Sequence, residues 1–177
     1  KTYFFAYKTL VYKTFVYKTL LYKTEANRMD SQDKKLLRLL QHDASLSVAD
    51  LADQVGISKS ACWRRMQKLE ENGVIKQRVT LLDTKKLGLG LTVFVTVRTN
   101  QHNADWAHNF NQVVQDVEGV LEVYRLGGQI DYLLKAVVAD MPGYDRLYQK
   151  LIAADLFDVT ASFVMEEIKA TTVLPIK

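Results

Sequence analysis

Residues 47–69 read Ser47-Val48-Ala49-Asp50-Leu51-Ala52-Asp53-Gln54-Val55-Gly56-Ile57-Ser58-Lys59-Ser60-Ala61-Cys62-Trp63-Arg64-Arg65-Met66-Gln67-Lys68-Leu69, and half of the fold follows from them. Ser47 can accept from the free N–H groups that open a helix over 48–55, where Leu51 and Val55 are spaced i, i+4. Gly56 supplies the backbone freedom of a tight turn. Ile57 plugs the junction, Ser58 caps a third helix that reaches residue 72, and Gly73 stops it. Two short helices joined by a brief glycine-containing turn make a helix-turn-helix.

The third helix serves two faces. Cys62, Met66 and Leu69 form an apolar stripe, which makes Cys62 a small buried hydrophobe and no nucleophile. Ser60, Arg64, Gln67, Lys68 and Glu71 project roughly opposite, with Trp63 on the flank. A charged outer face alone would suit a merely solvated three-helix bundle equally well. The turn and the Ser58-Lys59-Ser60 opening, with no acid before Glu70, point instead to DNA. There arginine can pair with guanine, and serine and glutamine reach base edges or phosphates. The expected DNA contacts are Ser47, Ser58, Lys59, Ser60, Trp63, Arg64, Arg65, Gln67 and Lys68.

Upstream, Leu36, Leu37, Leu39 and Leu40 concentrate on one side of a helix over 31–41, with Lys34, Lys35 and Arg38 nearer the other. Downstream, 74–82 reads as a strand leaving the DNA-binding domain, and 84–90 as linker. Strand patterns then fall at 91–99, 120–126, 132–139 and 159–168, with helical patterns at 105–117 and 143–153. That order, βαββαβ, is the ferredoxin-like split unit. The fold class is therefore α+β, with a winged-helix-like helix-turn-helix domain at 29–80, a linker at 81–90 and a ferredoxin-like domain at 91–177. One face of the second sheet would expose branched and aromatic side chains over 92–97 and 162–165, so pairing with a second copy is expected there.

The first 28 residues differ in kind. Tyr7-Lys8-Thr9, Tyr12-Lys13-Thr14, Tyr17-Lys18-Thr19 and Tyr22-Lys23-Thr24 recur every five residues, a period that fits neither a strand nor a helix face. No small-residue cleavage site or continuous apolar stretch marks a signal peptide. The segment reads either as a basic, aromatic arm or as a tandem repeat preceding a true start at Met29. On the second reading it has no defined fold, and a chain starting at Met29 should keep its assembly and specific DNA binding. The salt dependence of binding checks this, since each lost phosphate contact lowers the slope by about one.

Composition agrees. The chain has 177 residues, 48% of them hydrophobic, which suffices for one or two cores. No run approaches the ~20 apolar residues of a membrane helix, so no membrane partner is expected. The one cysteine excludes an internal disulfide or Cys-x-x-Cys motif and fits a reducing cytoplasm. The net charge of +4 divides unevenly. Residues 29–86 hold 11 basic and 8 acidic side chains, and 87–177 hold 7 and 11. A basic front module on an acidic back module suits DNA at one end and another task at the other.

The pattern Leu51-Ala52-x-x-Val55-Gly56-Ile57-Ser58, then Cys62-x-Arg64-Arg65-x-x-x-Leu69-Glu70-x-x-Gly73-Val74-Ile75, resembles the leucine-responsive/asparagine-responsive (Lrp/AsnC, feast/famine) regulators. So do Asp33-x-x-Leu36-Leu37, Gly128-x-x-Asp131-Tyr132-Leu133-Leu134 and Met165-Glu166-Glu167-Ile168-Lys169, and the resemblance runs from Met29 to Lys177. It implies a transcription regulator on operator DNA, nucleoid-associated in the cytoplasm, built from homodimers that assemble further, often to octamers. It implies no cofactor, and a free amino acid as effector. The effector would bind where dimers meet, at Gly128, Gln129, Ile130, Asp131, Thr160 and Ser162. Gln129 replaces the acid that often follows the glycine in such regulators, which removes a charge from that loop. Residues 87–94, 160–163 and 171–176 are similar to the branch that regulates cysteine detoxification, which favours a cysteine-type effector over leucine or methionine.

An enzyme is the poorer reading. His42, His102 and His108 are scattered, no nucleophile–base pair is visible, and Gly127-Gly128 is too short to cradle phosphate. His102, Asp105 and His108 lack a common metal spacing and read as solvated groups at a helix start; no metal site is expected. A sequence-indifferent architectural DNA protein is the closer rival.

Overall fold

The computed structural model describes residues 29–177, so the repeat over 1–28 lies outside the described residues. The described chain divides into two compact units. One runs to Val79 and includes Thr171–Lys177; the other is Thr80–Ala170.

Among the described residues, three helices build the first unit: α1 (Ser31–His42), α2 (Val48–Val55) and α3 (Lys59–Glu71). Each opens on a residue whose side chain accepts from the free N–H groups of the first turn. Asp30 and Asp33 form a reciprocal capping box on α1, Ser47 and Asp50 do the same on α2, and Ser58 accepts from Ala61 N–H on α3. Gly56 closes α2 at φ 83°, a left-handed conformation that a side chain would strain. The helices bury Leu36, Leu37, Leu51, Val55, Cys62, Met66 and Leu69 together. Cys62 is fully enclosed, and burial pushes its thiol pKa up, as befits a core residue.

The second unit is a four-stranded antiparallel sheet with helices on one face. Its elements are β1 (Leu91–Arg98), α4 (Ala104–Asp116), β2 (Val120–Arg125), β3 (Tyr132–Val138), α5 (Met141–Leu151) and β4 (Asp158–Phe163). The strand order β2-β3-β1-β4 is that of the ferredoxin-like split unit. Val93, Val95 and Val97 of β1 and Leu134 and Ala136 of β3 are fully buried, and Phe110 of α4 lies fully buried in the same core. Its ring stacks on Trp106 at 5.2 Å and meets Tyr132 at 4.4 Å. At Gly119 (φ 93°) a Cβ would lie 2.7 Å from the Val137 carbonyl oxygen, so only glycine lets the chain enter β2 here.

The structure corrects three expectations. Residues 74–82 form no strand: Ile75 packs on the first core, and Val79, Leu81 and Leu82 are exposed with no neighbouring strand among the described residues. β4 stops at Phe163 and not at 168, where its pairing with β1 ends at Val93. Val164 N–H donates the last bond, to Thr92 O, and Met165 and Ile168 stand in solvent. Residues 171–177, expected with the second domain, run with the first, where Ile176 packs on the helical core. The expected linker contains an ordered turn, in which the Asp83 carboxylate accepts from Lys85 and Lys86 N–H.

Candidate nucleic-acid interface and effector loop

The α3 helix has 13 residues and spans about 20 Å at 1.5 Å per residue. Its buried stripe fixes which side faces outward. Lys59, Ser60, Trp63, Arg64 and Lys68 are exposed along one band, and Gln67 is half-buried beside them. No acid lies in that helix before Glu70, and Glu70 is engaged by Arg78 at 2.8 Å. The positive end of the helix dipole adds to Lys59, so the start of α3 favours an anion. The Ser58 hydroxyl caps the helix and lies 3.2 Å from Ser60 Oγ.

Two residues expected at DNA are otherwise occupied. Arg65 turns inward: its guanidinium lies 2.7 Å from the Asp30 carboxylate and 2.6 Å from that of Asp33, and donates to Gln32 Oε1 at 2.8 Å. It locks α3 to the start of α1. The sequence signal was the Asp30-x-x-Asp33 pair, which makes a demand on one cation. Ser47 both accepts from Asp50 N–H and donates to the Asp50 carboxylate, so this helix start presents an acid.

The clamp has a testable pH signature. The Asp33 N–H, and then the Arg65 guanidinium, hold the Asp30 carboxyl below its usual range. A group lowered on folding contributes stability that is complete above its unfolded pKa and lost as pH falls through the folded one. Helix content of the first unit should therefore decline below about pH 4. Arg65→Ala should cost roughly 1–2 kcal/mol at neutral pH, since the network is partly solvent-screened, and should flatten that acid dependence. Thermal melts followed at 222 nm from pH 3 to 7 check both.

At the β2–β3 connection, Gly128 and Gln129 are exposed and Ile130 and Asp131 half-buried. Asp131 is held three ways. Its N–H donates to Val97 O at 3.0 Å, its carbonyl accepts from Leu126 N–H at 2.8 Å, and its carboxylate accepts from Thr99 N–H at 2.9 Å. Thr160 and Ser162 are exposed on β4, where they pair with Thr96 and Phe94 of β1. Val97 is flanked by Tyr132 on one side and Val159 on the other, so the loop and Thr160 are about 10 Å apart, two strand spacings, at one end of the sheet. Arg98, 3.5 Å from Asp158, stands at the same end and was not foreseen; a cation closing a strand beside a glycine loop was the available signal.

A shallow hollow of about 500 Å³ lies between α4 and β2, and none of the expected effector residues line it. Among the described residues, no cluster of three or more His, Cys, Asp or Glu is placed to hold a metal, and no helix is long and apolar enough to cross a membrane.

A basic recognition helix with no acid before Glu70, set on a helix-turn-helix and joined to a ferredoxin-like domain with a glycine loop, defines a DNA-binding regulator with a sensing domain. Comparison with known proteins agrees. Residues 29–76 match the family of winged helix-turn-helix DNA-binding domains, and residues 92–174 match the Lrp/AsnC ligand binding domain. The chain belongs to the Lrp/AsnC family and is a transcription regulator. It is 53% identical over 150 residues to the glutamate uptake regulatory protein of Zymomonas mobilis, spanning 84% of this chain and 92% of that one. It is 45% identical to the DNA-binding transcriptional activator DecR of Escherichia coli, over 84% and 99% of the two chains. Among solved structures, an AsnC family transcriptional regulator from Agrobacterium tumefaciens superposes with a TM-score of 0.79 at 50% identity, covering 83% of this chain and 97% of that one. The L-Met complex of regulator NMB0573 from Neisseria meningitidis superposes at 0.78 with 34% identity, over 83% and 96%.

Proposed function

We propose that the chain binds specific operator DNA through Lys59, Ser60, Trp63, Arg64, Gln67 and Lys68 of α3, as a dimer or larger assembly, and that a free amino acid tunes that binding. The exposed band on α3, free of acids from Lys59 to Leu69, carries the reading. It favours a specific regulator over a sequence-indifferent coating protein, because Arg64, Gln67 and Trp63 can read base edges where a row of lysines could only neutralise phosphate. The protein would act on the nucleoid in the cytoplasm.

The effector site is proposed at Gly128, Gln129, Ile130 and Asp131 with Thr160 and Ser162, and with Arg98 as a donor to the amino acid carboxylate. The hollow between α4 and β2 does not include these residues, which stand exposed or half-buried at one end of the sheet and fit a site completed by a second copy. The half-exposed Phe94, Thr96 and Leu133 and the exposed Tyr124 on the helix-free face of the sheet are the surface for that copy. A cysteine-type effector is preferred over leucine and methionine, and glutamate enters the set because a relative is named for its uptake. Calorimetric titration of cysteine, leucine, methionine and glutamate into the full chain is the test. Heat of binding from one of them supports the reading; extending the titration to all twenty protein amino acids and finding heat from none refutes it.

A further inference from the structure

The last seven residues are not a loose end. Arg38 and Gln41, three apart on one face of α1, both reach the segment Thr171–Lys177. The Gln41 amide works as a strand neighbour would: its Oε1 accepts from Leu174 N–H at 2.6 Å and its Nε2 donates to Leu174 O at 3.3 Å. Arg38 Nε donates to Ile176 O at 3.3 Å, and Ile176 packs on the core that α1, α2 and α3 share. The segment is pre-shaped: Val173 N–H donates to Thr171 Oγ1 at 3.1 Å, Ile176 N–H donates to Leu174 O at 2.9 Å, and Pro175 fixes φ between them.

The consequence is topological. The DNA-binding unit is joined to the rest of the chain by two covalent connections. The first is residues 80–90, and the second is residues 164–170, which leave β4 after Phe163, one residue beyond Ser162. At full extension seven residues reach about 25 Å and eleven about 38 Å, so the connection behind β4 is the shorter leash. We propose that residues 171–177 are a strap through which the sensing domain restrains the DNA-binding domain, so that amino acid bound beside β4 acts on α1 through this second connection. The inference rests on the amino-acid-responsive reading above.

The test compares three full-assembly proteins: the parent, Gln41→Ala, and a chain ending at Ala170. Gln41→Ala removes both bonds to Leu174 and leaves the helical core intact, which guards against a truncation that merely unfolds. Each is titrated by calorimetry with the twenty amino acids, and its affinity for DNA upstream of its own gene is measured with and without the one that binds. All three should bind that amino acid within twofold of one another. The parent's DNA affinity should change at least fivefold on its addition, and that of both variants less than twofold. A response undiminished in both variants overturns the strap. If the parent binds no amino acid, the effector reading fails and the strap is decided without effector. Hydrogen exchange at Leu174 should then be slow in the parent and at least tenfold faster in Gln41→Ala, with a changed DNA affinity; equal exchange and equal affinity overturn it.

Discussion

Replacing Arg64 by alanine should weaken operator binding roughly 5- to 150-fold, about 1–3 kcal/mol, with folding and assembly unchanged. Two observations make the prediction sharp. Arg64 lies on the exposed side of α3, opposite the stripe of Cys62, Met66 and Leu69, and no ion pair holds it among the described residues. Its neighbour Arg65 has the same charge and is committed to Asp30 and Asp33. The pair thus separates recognition from support: Arg64→Ala should lose DNA and keep the melting temperature, and Arg65→Ala should lower it. Lys68→Ala should act differently again, weakening all sequences alike and lowering the salt slope by about one, as a phosphate contact would. Fluorescence anisotropy on operator and scrambled duplexes at several salt concentrations distinguishes them. An Arg64→Ala protein that binds operator as tightly as the parent would remove α3 as the reader.

Asp131→Ala should abolish the effector's influence on DNA binding while leaving effector-free binding nearly unchanged. An amino acid brings an ammonium that needs an acceptor, and Asp131 is the only acid between Gly127 and Tyr132. A charge-assisted bond of about 1.5–3 kcal/mol corresponds to roughly 10- to 150-fold in effector affinity. The structure adds a complication that the sequence could not, since this carboxylate already accepts from Thr99 N–H. Asp131→Asn resolves it. Its carbonyl oxygen can still accept from Thr99, so the loop should hold, but the charge is gone and effector affinity should fall as in Asp131→Ala. Calorimetry on both variants is the measurement; effector affinity equal to the parent's in both would return Asp131 to a purely structural role.

What the sequence made legible was the local part. Caps at Ser47 and Ser58, the turn at Gly56, the buried stripe on α3 and the βαββαβ order all follow from signals within a few residues of one another. What is not legible depends on distant partners. The charge of Arg65 is visible in sequence, but its pairing with Asp30 and Asp33, more than thirty residues upstream, is not. Residues 74–82 and 164–168 carry branched and apolar side chains, but a strand needs a neighbour, and neither stretch enters a ladder among the described residues. Residues 171–177 follow the second domain in sequence, and Gln41 and the helical core hold them with the first.

On the proposed function, this regulator reads a particular DNA sequence under the control of an amino acid. The direct measurement is a gel shift on the region upstream of its own gene, in excess competitor DNA, with and without cysteine, leucine, methionine and glutamate in turn. The account predicts a retarded complex that survives competitor and whose midpoint moves at least fivefold with one of the four. A complex that competitor dissolves, or one that no amino acid moves, would contradict it.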